Sequence, residues 1–189
     1  MIYSRITGTG SYLPDNIVTN KALEKFVDTT DSWILERTGI AQRHISQGQS
    51  SCDLAEIAAR RALEMAGRSP DEVDLIVMGT STPDLFFPST ACLLQGRLGI
   101  TNGGPAFDVN AACAGFLYAL STGSQFIETG KYKKVIVVGV DMMSSIIDYT
   151  DRATCIIFGD GAGAVLFEPN YEGLGFQDEY LRSDGIGRE

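Results

Sequence analysis

The residues best suited to chemistry lie between Pro105 and Tyr118, in the segment PAFDVNAACAGFLY. Ala106, Phe107 and Val109 make a short apolar run of the length of a buried strand. Asn110 ends it, the small residues Ala111, Ala112, Cys113, Ala114 and Gly115 follow, and Phe116, Leu117, Ala119 and Leu120 open a helical pattern. A strand that turns sharply into a helix puts the turn residue at the helix N-terminus, where free N–H groups and the macrodipole favour negative charge. A thiol in such a place loses its proton more easily, and the thiolate is the reactive form. Cys113 is therefore a candidate nucleophile, with small neighbours that leave room for a substrate. A cysteine also suits a small buried apolar position, and spacing alone leaves both readings open.

A second constellation pairs an aromatic ring with cations. Trp33 and Arg37 are four residues apart, so on a helix they share one face. A flat ring beside a guanidinium makes a slot where a purine can stack and a phosphate be reached. Arg152, in Asp151-Arg152-Ala153, can close that slot from a loop. The plainer alternative is a half-exposed tryptophan beside a solvated arginine. Phe86 and Phe87 put two aromatics on a loop, which suits core or interface packing.

Other motifs carry less. Gly159-Asp160-Gly161-Ala162-Gly163 lacks the Lys-Ser/Thr of a phosphate-binding loop, and Val165-Leu166-Phe167 continues as a strand, so a tight turn with close backbone approach is expected. Gly8-Thr9-Gly10 lacks the third glycine of a dinucleotide fingerprint, with Leu13 and then Pro14 in its place. The single histidine, His44, follows Arg43 in a loop-like stretch and reads as structural. Cys52, Cys92 and Cys155 read as packing residues, with Asp53 and Glu56 raising the Cys52 thiol. No pair is spaced CxxC, and no zinc or other metal site is expected.

The elements that must position these residues follow from pattern. Residues 2–10 suggest a strand closed by Gly8 and Gly10, then a helix from Thr19 or Asn20 through Phe26. Asp31 caps a helix through Arg37 that Gly39 stops. Between Ser50 and Gly67 lies the clearest helix, started by Ser51 or Asp53, with Leu54, Ile57, Ala58, Ala62 and Met65 as its apolar stripe. Asp74–Gly79 is an apolar strand of the kind buried on both faces. A loop over Thr80–Pro88, a helix over Ser89–Leu98 and a turn-rich link lead to the Phe107 strand. The helix after Cys113 runs to about Thr129, followed by strands at Lys134–Gly139, Ala162–Glu168 and Leu174–Leu181. The alternation predicts an α/β fold with a mostly parallel mixed sheet and helices on both faces.

The chain has 189 residues, 44% of them hydrophobic and 21% charged, as befits one soluble globular domain. A net charge of -9 without any Lys/Arg-rich run argues against nucleic acid as a partner. No apolar run approaches the ~20 residues of a membrane span. MIYSRITGTG has no signal pattern, which leaves the cytoplasm as the expected location.

DVNAACAGF, together with GTGSYLP at residues 8–14, WILERTGIAQRH at 33–44, TDRAT at 150–154 and IIFGDGAGA at 156–164, resembles the first half of the β-ketoacyl-acyl-carrier-protein synthase III family. These are condensing enzymes that start bacterial fatty-acid synthesis. The resemblance implies a thiolase-like layered fold (αβαβα), of which residues 1–170 form one of two similar halves and 171–189 begin the connection to the other. It implies that Cys113 accepts the acyl group, that Trp33 and Arg152 sandwich the adenine of coenzyme A, and that Thr29 and Arg37 contact its nucleotide end. Phe87 is implied to line the acyl pocket of a neighbouring subunit, and Ile157 and Phe158 to supply further pocket wall.

The implied reaction joins a short acyl-coenzyme A, acetyl being the family's usual primer, to malonyl-acyl-carrier protein. It yields 3-oxoacyl-acyl-carrier protein, carbon dioxide and coenzyme A, and needs no cofactor because coenzyme A arrives as the substrate thioester. A homodimer through Ala106–Asn110 and the Phe87 loop is implied too. The family's catalytic His and Asn lie in its second half and have no counterpart here. A longer enzyme, with the remainder on the same or a cleaved chain, is the expectation. Alternatives are a related condensing enzyme of secondary metabolism, a hydroxymethylglutaryl-coenzyme A synthase, or a non-catalytic dimerising half.

Overall fold

The computed structural model describes residues 1–186, in order β1 (Tyr3–Tyr12), β2 (Ile17–Thr19), α1 (Asn20–Leu23), α2 (Asp31–Thr38), β3 (Gln42–His44), α3 (Ser51–Ala66), β4 (Leu75–Gly79), α4 (Thr90–Leu98), β5 (Ala106–Val109), α5 (Gly115–Glu128), β6 (Val135–Met142), α6 (Arg152–Cys155) and β7 (Asp160–Asn170). Five strands form one mixed sheet in the order β1-β7-β6-β4-β5, and β2 pairs with β3 apart from it. Parallel pairing is confined to β4 with its neighbours β5 and β6, while β7 runs antiparallel to both β6 and β1.

Strand alternation builds two cores from one sheet. Ile76, Met78, Ile136, Val138 and Leu166 face α3 and α4, whereas Leu75, Val77, Val135, Val137 and Phe167 face α5. Every residue of β4 is buried because helices cover both faces, which is why its sequence, LIVMG, is apolar without alternation. A mixed sheet with helices on both sides is the architecture the sequence predicts, but it is not mostly parallel: two of its four strand pairings are antiparallel, because β7 returns beside β6 and β1 pairs with β7.

The ends of the helices refine that prediction. Ser50, not Ser51 or Asp53, caps α3: its hydroxyl accepts from the Asp53 amide while the Asp53 carboxylate accepts from the Ser50 amide. Thr30, not Asp31, caps α2, and Gly39 and Gly67 end α2 and α3 with positive φ as expected. From the Thr19 cap, α1 reaches only Leu23. Met65 is two-thirds exposed rather than part of the α3 stripe, since Ala62 and Ala58 bring β1 too close to α3 for a large side chain between them.

That close approach also explains the first glycines. Gly8 and Gly10 do not close β1 but lie within it, where a Cβ would strike the Ala62 and Ala58 carbonyl oxygens of α3. Gly161 and Gly163 likewise lie within the first half of a strand, β7, rather than in a tight turn. Leu174–Leu181 forms no strand: Phe176 donates its N–H to the Ser4 carbonyl oxygen (2.8 Å) and packs on Phe167, and the segment goes no further into the sheet. Gly187, Arg188 and Glu189, the end of the expected connection, lie outside the described residues.

Candidate active site

Cys113 stands where β5 gives way to α5, at the edge of the main sheet. Ala112, Cys113 and Ala114 form one 3-10 turn that runs directly into α5, so the sulfur belongs to the turn before the helix rather than to the helix itself. Ala112 has φ +47°, and among the described residues it is the single non-glycine residue with positive φ. Cys113 is exposed to solvent.

Beside it opens a cavity of about 440 Å³ whose floor is made of glycines: Gly79 at the end of β4, Gly139 within β6, Gly159 just before β7, and Gly161 and Gly163 in its first residues. Leu13, Phe116 and Val140 supply apolar wall and Asp141 a carboxylate. The missing side chains have a packing reason. At Gly79 a Cβ would sit 2.5 to 2.7 Å from the backbone of Gly115 and Phe116, and at Gly139 it would press on the Phe116 ring at 3.0 Å. The first turn of α5 can therefore lie directly on the sheet, bringing Cys113 to the rim of the cavity.

Three of the residues expected to bind coenzyme A come together. The Arg37 guanidinium lies 4.8 Å and that of Arg152 4.7 Å from the centre of the Trp33 ring. Arg152 also donates to the Asp28 carbonyl oxygen at 3.1 Å, which ties α6 to the chain just before Thr29. The Thr29 hydroxyl is buried with no hydrogen-bond partner. Beneath Trp33 a small core of Leu23, Ile34, Cys155 and Ile156 holds α1, α2 and α6 together.

The expected acyl-pocket residues do not line this cavity. Phe87 is 84% exposed on its loop, Ile157 is about half exposed, and neither of them nor Phe158 lines the cavity. Within this chain the apolar residues lining the cavity are Leu13, Phe116 and Val140.

Sequence reading missed the polar residues that hold the site. Arg43 is 5% exposed and donates to the Val18 carbonyl (3.1 Å), Asn20 Oδ1 (2.9 Å) and the Ile156 carbonyl (3.0 Å), joining β2 and α1 to α6. Asp160 is 4% exposed and accepts from the Ser46 amide (2.7 Å), the Ser144 amide (2.9 Å) and the Ser144 hydroxyl (2.6 Å), fixing the segment after β6. A single acid inside a glycine run was the available signal for Asp160. For Arg43, on a short strand, there was none.

The other cysteines separate by burial. Cys52 and Cys155 are buried, but Cys92, expected to pack, is exposed on α4. Burial, with Asp84, Asp53 and Glu56 adding to it and Arg97 opposing, pushes the Cys52 thiol up to about 11, so the neighbouring acids are the smaller cause. His44 lies at the end of β3, its Nδ1 2.5 Å from the Pro14 carbonyl oxygen. Among the described residues no cluster of His, Cys, Asp and Glu could hold a metal ion, and no helix is long and apolar enough to cross a membrane.

Comparison with known proteins supports the sequence resemblance. Residues 107–185 match the family model described as 3-oxoacyl-[acyl-carrier-protein (ACP)] synthase III. The β-ketoacyl-[acyl-carrier-protein] synthase III of Xanthomonas oryzae pv. oryzae is 55% identical over 189 residues, all of this chain and 58% of that protein. The crystal structure of β-ketoacyl-[acyl carrier protein] synthase III from Thermus thermophilus superposes with a TM-score of 0.92 at 39% identity, covering 97% of this chain and 57% of that one. The priming β-ketosynthase of a polyketide biosynthetic pathway superposes with a TM-score of 0.86 at 40% identity, over 89% of this chain and 50% of that one. The chain thus spans a little more than half the length of the relatives it matches.

Proposed function

We propose that this chain, similar from end to end to β-ketoacyl-acyl-carrier-protein synthase III, supplies the nucleophile and the coenzyme A site of a condensing acyltransferase. The observation that carries this reading is the exposed Cys113 on a tight strand-to-helix turn at the rim of a glycine-floored cavity. In the first half-reaction the Cys113 thiolate attacks the carbonyl carbon of a short acyl-coenzyme A. A new S–C bond forms, the bond to the coenzyme A sulfur breaks, and coenzyme A leaves as the thiolate, which takes a proton from water. The backbone N–H of Cys113 is a donor for the developing oxyanion. Malonyl-acyl-carrier protein then loses carbon dioxide, its carbanion forms a C–C bond to the acyl carbon, and the C–S bond breaks to release Cys113 as the thiolate.

That second half-reaction needs donors for an enolate, and His44, engaged at Pro14, is not placed to be one. We assign them to the part of the relatives that this chain does not span. Residues 1–170 are then the unit that carries the nucleophile, and 171–189 the start of the connection to the remainder. No metal or redox group has a step to perform in this chemistry, and the setting is cytoplasmic.

Phe87, Ile157 and Phe158 fit an acyl pocket completed by a second copy of the chain. The open edge of β5 and the exposed loop residues Leu85, Phe86 and Phe87 support that homodimer. Likeness to a polyketide priming enzyme keeps a secondary-metabolic acceptor as the second reading.

Incubation with acetyl-coenzyme A followed by peptide mass analysis tests the proposal. An acetyl group on Cys113 is the expected result; no adduct, or one spread over Cys92, overturns it and favours a non-catalytic half. The cluster at Trp33 makes a separate prediction. Stacking of a base on an aromatic ring is worth about 1–3 kcal/mol, so Trp33→Ala should weaken coenzyme A binding about 5- to 150-fold in a calorimetric titration. An unchanged affinity would remove Trp33, with Arg37 and Arg152, from the site.

A further inference from the structure

We propose that Asn110 is a positioning residue for the nucleophile: its side-chain oxygen, anchored to the loop after β4, holds the left-handed Ala112 that immediately precedes Cys113. The inference rests on Cys113 being the nucleophile. A left-handed conformation is unfavourable for an L-residue with a Cβ, so Ala112 needs something to keep it there. Asn110 Oδ1 accepts from the Ala112 amide at 3.4 Å and from the Ser81 hydroxyl at 3.2 Å. Two donors on one oxygen decide which way the amide points.

Ser81 is itself fixed. Its amide donates to Asp141 Oδ1 at 2.8 Å, and the Thr82 hydroxyl donates to the same oxygen at 3.4 Å. The Thr80 amide donates to the Val109 carbonyl oxygen at 3.2 Å. A chain of hydrogen bonds therefore runs from the carboxylate near the end of β6, through the loop after β4, to the residue after β5 and into the Cys113 turn. These three strands are neighbours in the sheet, so the sheet itself is the fixed frame for the turn.

The side chain at position 110 suits this task. Alanine would leave the Ala112 amide and the Ser81 hydroxyl without their acceptor. Aspartate would keep both bonds but set a negative charge three residues from the cysteine that must react as a thiolate. Asn110 is exposed and belongs to none of the apolar clusters, so its tether is separable from folding.

Iodoacetamide labelling of the whole chain, read thiol by thiol from peptide masses, tests this with exposed Cys92 as the internal reference. Asn110→Ala should slow labelling of Cys113 about fivefold, the kinetic equivalent of one net hydrogen bond, and leave Cys92 unchanged. Asn110→Ser, whose hydroxyl can accept from the amide two residues on, should restore the rate to within about twofold. Ser81→Ala should slow Cys113 by itself but add nothing in the Asn110→Ala background. A wild-type rate in Asn110→Ala, equal slowing at Cys92, or additive effects of the two substitutions would overturn the positioning role. A wild-type Cys113 that labels no faster than Cys92 would instead overturn the nucleophile reading, and that result appears before any substitution is made.

Discussion

Cys113→Ala is expected to bind acetyl-coenzyme A as tightly as the wild-type chain and to take no acetyl group from it. The substitution removes one sulfur from a turn whose other members are already alanines, so Ala112–Ala114 and the start of α5 keep their geometry. No other thiol can replace it. Cys52 and Cys155 are buried, burial holds both thiols above their ordinary values, and the exposed Cys92 lies on α4, away from the glycine-floored cavity. The loss should be complete in an intact-mass measurement, while calorimetry with acetyl-coenzyme A should show an unchanged dissociation constant. Acetyl label persisting in Cys113→Ala would place the nucleophile elsewhere, and weakened binding with it would mean that the sulfur packs rather than reacts.

Gly79→Ala is expected to destabilise the chain by about 3 kcal/mol, the upper end of what overpacking costs. Its Cβ would lie 2.5 Å from the Gly115 carbonyl carbon, 2.6 Å from the Gly115 oxygen and 2.7 Å from the Phe116 amide nitrogen. These are backbone atoms at the start of α5 and cannot rotate aside, so β4 and α5 must separate. That separation opens the interface of Leu75 and Val77 with Ala119 and Leu120, and moves the helix on which the Cys113 turn is built. Gly96→Ala, in α4, is the control: nothing lies within 4 Å of its Cβ, and helix propensity should make it more stable by up to about 1 kcal/mol. Urea midpoints at an unchanged denaturant slope measure both. A Gly79→Ala midpoint equal to the wild type would show that the contact between β4 and α5 is not tight.

Much of this molecule is written locally. A run such as Leu75–Gly79 is apolar enough to be a buried strand whatever its neighbours, and Gly39 and Gly67 stop helices through their own backbone freedom. The Cys113 turn is legible for the same reason, because apolar strand, small residues and helical pattern follow one another within fourteen residues, Pro105 to Tyr118. Trp33 and Arg37 share a face by helix spacing alone, and their contact depends on little else.

What only the tertiary structure decided involves residues distant in the chain. The glycines of β1 and β7 look like turns in sequence, yet they are strand residues; α3 lies against Gly8 and Gly10 and Leu13 against Gly161, and no local pattern encodes that approach. Met65 and Cys92 have core-like residue types, but the helix faces that meet the sheet leave them outside. Arg43, Asp160 and the link from Asp141 through Ser81 to Asn110 join segments from about 20 to more than 110 residues apart. The sequence by itself determined the strand, the small-residue turn that carries Cys113 and the helix after it, because short-range sterics and periodicity act within a few residues. The strand order, the floor of the cavity and the polar ties that fix the turn were decided by folding, because a hydrogen bond or a close backbone contact exists only once its distant partner has been brought beside it.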